Sequence, residues 1–137
     1  MKPLFIDSGA FVAMVNRGDQ FQEKAENIWE QIASSSRSLI SSDHVLDEVT
    51  TAICRTQSPA RAARWVRSQL SGDLVQWIQP TPEDLAEAAK WLEKLSDQKI
   101  NFTDALSFVL MQREKITEAF TFDRHFTFAG FQVWPDA

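Results

Sequence analysis

The sequence predicts an α/β domain of three layers, α/β/α, with a mainly parallel sheet of about five short strands between the helices. Two observations predict it. Short β-prone runs alternate along the chain with amphipathic stretches of helical period, and strands separated by helices require crossover connections, which favour parallel pairing. At 137 residues and 44% hydrophobic content, the chain has the material for one core, and the expectation is one domain over 1–137.

Pro3-Leu4-Phe5-Ile6 is the first strand, and Asp7-Ser8-Gly9 turns the chain into a helix over Ala10 to Val15 that Gly18 ends. Asp19 is placed to cap the next helix, whose Phe21, Ala25, Ile28, Trp29 and Ile32 recur at helical spacing before Ser34-Ser35-Ser36. Leu39-Ile40 is the second strand. Asp43 is expected to cap a helix with Val45, Val49, Ala52 and Ile53 on one face, and Ser58-Pro59 starts another that runs to about Leu70, before Gly72. Val75 to Ile78 is the third strand. Thr81-Pro82-Glu83-Asp84 combines a capping hydroxyl, proline at the first helical position and acids at the positive end of the dipole, so a helix follows through Leu85, Ala88, Leu92 and Leu95. Asn101 or Thr103 opens a helix to about Arg113. Ala119 to Phe122 is the fourth strand and Phe131 to Trp134 the fifth.

The only cysteine, Cys54, has no intrachain partner and falls in a helical apolar pattern, so it is expected to pack in the core of a protein from a reducing compartment, the cytoplasm. The first residues show no charged-then-apolar leader, and no apolar run reaches the roughly 18 residues that span a membrane. A net charge of −5 argues against nucleic-acid binding through bulk positive charge. It does not exclude a nuclease, because bound cations would cancel part of that charge locally.

Asp7 ends an apolar strand, Glu48 edges an apolar helix face, Asp104 opens an apolar helix, and Asp123 follows another strand. Each has a structural alternative when taken singly. Asp7 and Asp123 can be turn acids bonding downstream amides, Glu48 can snorkel or pair with an arginine, and Asp104 can complete a helix cap with Asn101. Parallel sheets, however, place sites at the carboxyl ends of their strands. Asp7 and Asp123 fall at such ends, and the helix starts at Asp43 and Asn101 can open toward the same edge. Burying one ionised carboxylate costs several kcal/mol without compensation, so the convergence of these acids would imply a divalent cation.

The ordered segments Phe-Ile-Asp7-Ser8-Gly-Ala-Phe, Val-Leu-Asp-Glu48-Val-Thr-Thr, Asn101-Phe-Thr-Asp104-Ala-Leu-Ser107-Phe and Ala-Phe-Thr121-Phe-Asp123-Arg-His-Phe resemble the PIN-domain family across nearly the whole chain. The last two look like its VapC-type toxin branch. The resemblance implies a PIN-like fold and a Mg2+- or Mn2+-dependent ribonuclease with Asp7, Glu48, Asp104 and Asp123 as metal-site residues. Ser8 and Thr121 match small hydroxyl positions that orient carboxylates or waters. Asn101 stands where relatives often have serine, yet asparagine also caps helices. The resemblance further implies an RNA substrate, a cognate antitoxin and a homodimer, with no membrane association.

The donor types suit this chemistry, since Mg2+ and Mn2+ prefer oxygen ligands and retain waters, whereas zinc would call for histidine or thiolate. Such an ion can polarise a phosphodiester and activate water for in-line attack, with a second ion about 3.5–4 Å away at the leaving oxygen. The expected products carry a 3′-hydroxyl and a 5′-phosphate. A haloacid-dehalogenase phosphatase needs a second acid two residues after the first, where Gly9 stands, and a response-regulator receiver expects a near-adjacent acidic pair and a late lysine. The remaining alternative is a catalytically silent RNA-binding or scaffold protein of the same fold. His44 beside a helix cap and His125 in a loop have no nucleophile partner, and Arg55, Arg61, Arg64 and Arg67 read as solvated helix charge. The aromatics Phe120, Phe122, Phe126, Phe128, Phe131 and Trp134 are assigned to the core or a dimer contact before base stacking.

Overall fold

In the computed structural model, which describes residues 2–16 and 18–134, the middle of the sheet is β1 (Leu4–Ile6), and all three of its residues are fully buried. A strand covered on both faces needs such an unbroken apolar run. The chain continues through α1 (Ser8–Val15), α2 (Gln22–Ala33), β2 (Leu39–Ser42), α3 (Asp43–Thr56), α4 (Pro59–Ser71) and β3 (Val75–Ile78). It returns through α5 (Pro82–Lys94) and α6 (Phe102–Arg113) to β4 (Glu118–Phe120), and the four-residue α7 (His125–Phe128) leads to β5 (Gln132–Trp134). The sheet order is β3-β2-β1-β4-β5 and every pairing is parallel.

Helical crossovers carry β1 to β2 and β3 over one face and bring the chain back to β4 and β5 over the other. The aromatic packing follows this division. Phe11 of α1 meets Trp29 of α2, Trp65 of α4 and Trp77 of β3 on the first face. On the second, Phe108 of α6 meets Trp91 of α5, Phe126 of α7 and Phe131. Helix α6 is buried from Asp104 through Met111, which explains why its sequence is apolar all round rather than on one stripe. The expected three layers are therefore present. Because the connections leave β1 in opposite directions across the sheet, a crevice opens at the carboxyl ends of β1 and β4.

The amino edge of the sheet is held by a buried ion pair that has no local sequence signature. Arg37 donates to Glu118 over 2.9 Å and to the Lys2 carbonyl over 2.9 Å, while the Trp134 indole donates to the other Glu118 oxygen over 3.0 Å. The partners are far apart in sequence and meet only when β1, β2, β4 and β5 are aligned.

Several local expectations are corrected. The α3 cap is Ser42, whose hydroxyl accepts from the Val45 amide at 3.2 Å, and Asp43 is the first helical residue, because β2 extends through Ser42 and gives it the extended backbone of a cap. Asp19 does not cap α2; its carboxylate accepts from the Phe21 amide in the preceding turn. Cys54 is exposed, since α3 buries Val45, Val49 and Ile53 and the next residue lies about 100° around the helix. The fourth strand ends at Phe120 rather than Phe122, and His125 starts a short helix where a loop was expected. Thr81 and Asp84 form the capping box that opens α5.

Candidate active site

Asp7 follows β1 directly, Glu48 projects from the second turn of α3 after β2, Asp104 is in the first turn of α6, and Asp123 lies three residues after β4. The backbone at each position serves the side chain. Asp7 is extended at the start of α1 but makes no side-chain cap bond, so its carboxylate is free to face the crevice. It is 3% exposed. Thr121 donates to Asp7 Oδ2 at 2.8 Å, and Oδ1 is buried without a hydrogen-bond partner. A buried, unpartnered carboxylate oxygen is costly and calls for a cation or a proton.

The other acids are held in comparable ways. Asn101 and Asp104 form a reciprocal capping box, Asp104 accepting from the Asn101 amide at 3.0 Å and donating its own amide to the Asn101 side chain at 2.9 Å. The Asn101 side-chain amide also donates to Glu48 Oε2 at 3.3 Å, and Ser8 makes a short hydrogen bond to Glu48 Oε1. Thr121 Oγ1 accepts from the Asp123 amide at 2.9 Å, and Asp123 Oδ1 accepts from the His125 amide at 2.9 Å. The expected turn role of Asp123 is thus present together with its position at the crevice. Ser8, Asn101 and Thr121 each touch a carboxylate.

Electrostatics tie the acids to one locality. Burial, then the Asp104 charge and more weakly that of Asp123, pushes the Asp7 carboxyl up to about 7, with the Thr121 hydroxyl and the Ser8 amide opposing. Asp104 is pushed up to about 6, first by burial and then by Asp123 and Glu48, against the Asn101 amide and the His125 charge. Among the described residues no three acidic, histidine or cysteine side chains are already closed to ligand spacing. The acids share a crevice and repel one another within it. An all-oxygen donor set of this kind, with an orphaned buried oxygen at Asp7, fits a hard divalent cation.

His125, expected as a loop histidine without a nucleophile partner, adjoins the site: its amide fixes Asp123 and its ring Nδ1 lies 2.7 Å from the same oxygen, though not aligned for a hydrogen bond. Its spacing two residues beyond Asp123 was the available signal. His44 pairs with Asp43 at the start of α3 and touches no site carboxylate. Arg124 is exposed beside Asp123 and forms no ion pair with an acid among the described residues.

A family model described as the PIN domain matches residues 4–131. The 23S rRNA-specific endonuclease VapC20 of Mycobacterium tuberculosis is 32% identical over 135 residues, covering 97% of this chain and 99% of the relative. The crystal structure of that species' VapC20, a sarcin–ricin loop cleaving toxin, superposes with a TM-score of 0.83 at 30% identity over 93% of this chain and 95% of that one. The VapBC2 complex of Rickettsia felis bound to a promoter DNA fragment shares the fold, with a TM-score of 0.70 at 15% identity over 95% of this chain and 96% of that one.

Proposed function

The chain belongs to the PIN-domain family, and on that premise we propose that it is a Mg2+- or Mn2+-dependent endoribonuclease, the toxin of a toxin–antitoxin pair, acting as one nuclease domain. The observation that carries the reading is the shared crevice of Asp7, Glu48, Asp104 and Asp123, in which burial first and the neighbouring acids second push the Asp7 and Asp104 carboxyls up. Those four residues would hold the cation. When bound, it supplies Lewis-acid stabilisation of charge on a phosphodiester and makes water a better nucleophile.

The protein's own residues set the geometry. Thr121 anchors one oxygen of Asp7 while the other is buried without a hydrogen-bond partner. Asn101 bonds both Asp104 and Glu48, which links the start of α6 to the second turn of α3. Ser8 fixes the remaining Glu48 oxygen and the His125 amide fixes Asp123. Such supports prevent the carboxylates from relaxing apart under their own repulsion. Arg124 supplies a local positive charge for the RNA backbone in an otherwise acidic chain.

The substrate proposed is the sarcin–ricin loop of 23S rRNA, by likeness to the relative that cleaves it, with products bearing a 3′-hydroxyl and a 5′-phosphate. The partner proposed is a cognate antitoxin, and the working state a cytoplasmic homodimer. The described residues contain no helix long and apolar enough to cross a membrane. A catalytically silent RNA-binding protein is the second reading, favoured by one observation: both Glu48 oxygens are already engaged by Ser8 and Asn101.

The test is cleavage of an end-labelled sarcin–ricin hairpin with Mn2+ or excess EDTA by the wild type, Asp7→Asn and Asp104→Asn. Cleavage only by the wild type with metal is expected. Activity in EDTA or in either variant overturns the metal-site assignment, and binding without cleavage in Mn2+ selects the silent reading. A sedimentation mass equal to one chain removes the dimer.

A further inference from the structure

Most of the phenylalanine in this chain is buried, as bulk transfer free energy requires. Phe5, Phe11, Phe108, Phe120, Phe126 and Phe131 are all 9% exposed or less. Three are exposed, Phe21 at 37%, Phe102 at 39% and Phe128 at 55%. All three are tied to the acids through near neighbours: Phe102 is two residues before Asp104 in the chain, and Phe21 and Phe128 meet the rings of Phe122 and His125, which flank Asp123 in sequence. Phe102 lies between Asn101 and Asp104, and its ring sits 6.3 Å from that of His44, the second residue of α3 on the β2 side. On the β4 side, Phe21 stacks face to face on Phe122, with centroids 4.6 Å apart and planes 5° from parallel. Phe122 is the residue between Thr121, which holds Asp7, and Asp123. Phe128 neighbours the His125 ring at 6.1 Å. Exposed leucines Leu70, Leu74 and Leu85 show no such grouping around these acids.

We propose that Phe102 on one side of the crevice and the Phe21–Phe122 stack on the other are nucleobase platforms, so that the substrate is an unstacked, single-stranded stretch of RNA whose scissile phosphate lies between two bases. This rests on the ribonuclease reading and deepens it. The occupant follows from position. Residues that adjoin the acids meant for the scissile phosphate can reach only what flanks that phosphate, and every nucleobase offers a flat apolar face to an aromatic ring. A Watson–Crick duplex keeps those faces stacked internally and could use neither platform. Discrimination for loops over helices therefore resides in Phe21 and Phe102 rather than in charge, which the acidic composition cannot supply.

The experiment measures kcat/KM on the sarcin–ricin hairpin for the wild type, Phe102→Leu, Phe21→Leu and Phe102→Trp, with Leu70→Ser as the surface control. In parallel, 2-aminopurine is placed on either side of the cut, and wild-type protein is added in EDTA to read stacking without cleavage. Stacking predicts a loss of roughly tenfold for each leucine variant, retention in Phe102→Trp and Leu70→Ser, and quenching of 2-aminopurine by the wild type. An abasic nucleotide beside the cut should produce a similar loss that Phe102→Leu or Phe21→Leu does not deepen. Unchanged kcat/KM in both leucine variants, or equal cleavage when the loop is annealed to its complement, overturns the proposal. So does a change of sedimentation mass in the leucine variants with cleavage intact, which would assign the rings to a second copy of the chain. A wild type that cuts no hairpin defeats the ribonuclease reading, and the platforms then stand or fall on 2-aminopurine quenching alone.

Discussion

The Thr121 hydroxyl donates to Oδ2 of Asp7 across 2.8 Å, a buried bond between residues 114 apart in sequence that joins the end of β4 to the end of β1. The same hydroxyl oxygen accepts from the Asp123 amide at 2.9 Å. One small side chain thus sets the relative placement of two acids across the central crevice.

Thr121→Val keeps the volume and removes both bonds. We expect cleavage to fall by about 10–100-fold, the usual cost of losing a residue that orients a ligand, while Thr121→Ser retains most of it. Steady-state kinetics with Mn2+ in excess checks this. Equal activity in the valine and serine variants would show that the hydroxyl positions nothing of consequence.

Folding stability without metal should fall as pH rises. Folding raises the Asp7 carboxyl from 3.8 to about 7 and that of Asp104 to about 6, so between those values the folded state binds more protons than the unfolded one. The stability present below about pH 4 is lost progressively up to about pH 7, at no more than ~1.4 kcal/mol per pH unit per group. Melting temperatures in EDTA at pH 5 and pH 8 test it. Mn2+ should stabilise more at pH 8, where the carboxylates are ionised, and Asp7→Asn should flatten the pH dependence. A melting temperature that rises with pH in EDTA contradicts the assignment of buried, mutually repelling acids.

Asn101 combines a helix cap with support of Glu48, and two substitutions separate the roles. Asn101→Ser should keep the cap and lose the Glu48 contact, reducing activity with little change in melting temperature. Asn101→Ala should also cost about 1 kcal/mol of stability. Denaturant titrations beside kinetic assays distinguish the two, and identical losses in both properties for serine and alanine would refute the division.

At the opposite edge of the sheet, Arg37→Ala should destabilise by about 3–5 kcal/mol, because it strands the Glu118 carboxylate in a buried position. The paired Arg37→Met, Glu118→Leu change should cost much less. Chemical denaturation of the single and double variants tests the pair. Since this edge is remote from the crevice, the kcat of the folded fraction should be preserved.

The local elements were legible where one short stretch of chain is sufficient to specify them. Thr81-Pro82-Glu83-Asp84 announced the start of α5, Ser58-Pro59 that of α4, and Val75 to Ile78 matched β3 residue for residue. Boundaries failed where a distant partner decides them. Thr121 and Phe122 have strand composition, but the Thr121 hydroxyl turns toward Asp7 and β4 ends at Phe120. Cys54 was misplaced because an apolar helical pattern does not reveal which stripe meets the sheet.

By itself the sequence determined the alternation of strands and helices, the caps of α4, α5 and α6, and the four acids in their local settings, because periodicity and capping depend on neighbours within a few residues. Tertiary structure alone decided that those acids share a crevice, that Ser8 and Asn101 hold Glu48 while Thr121 holds Asp7, and that Phe21, Phe102 and Phe128 remain exposed. The physical reason is that carboxylate repulsion, desolvation and ring exposure depend on distances through space, which are fixed only when the crossovers bring the carboxyl ends of β1, β2 and β4 side by side.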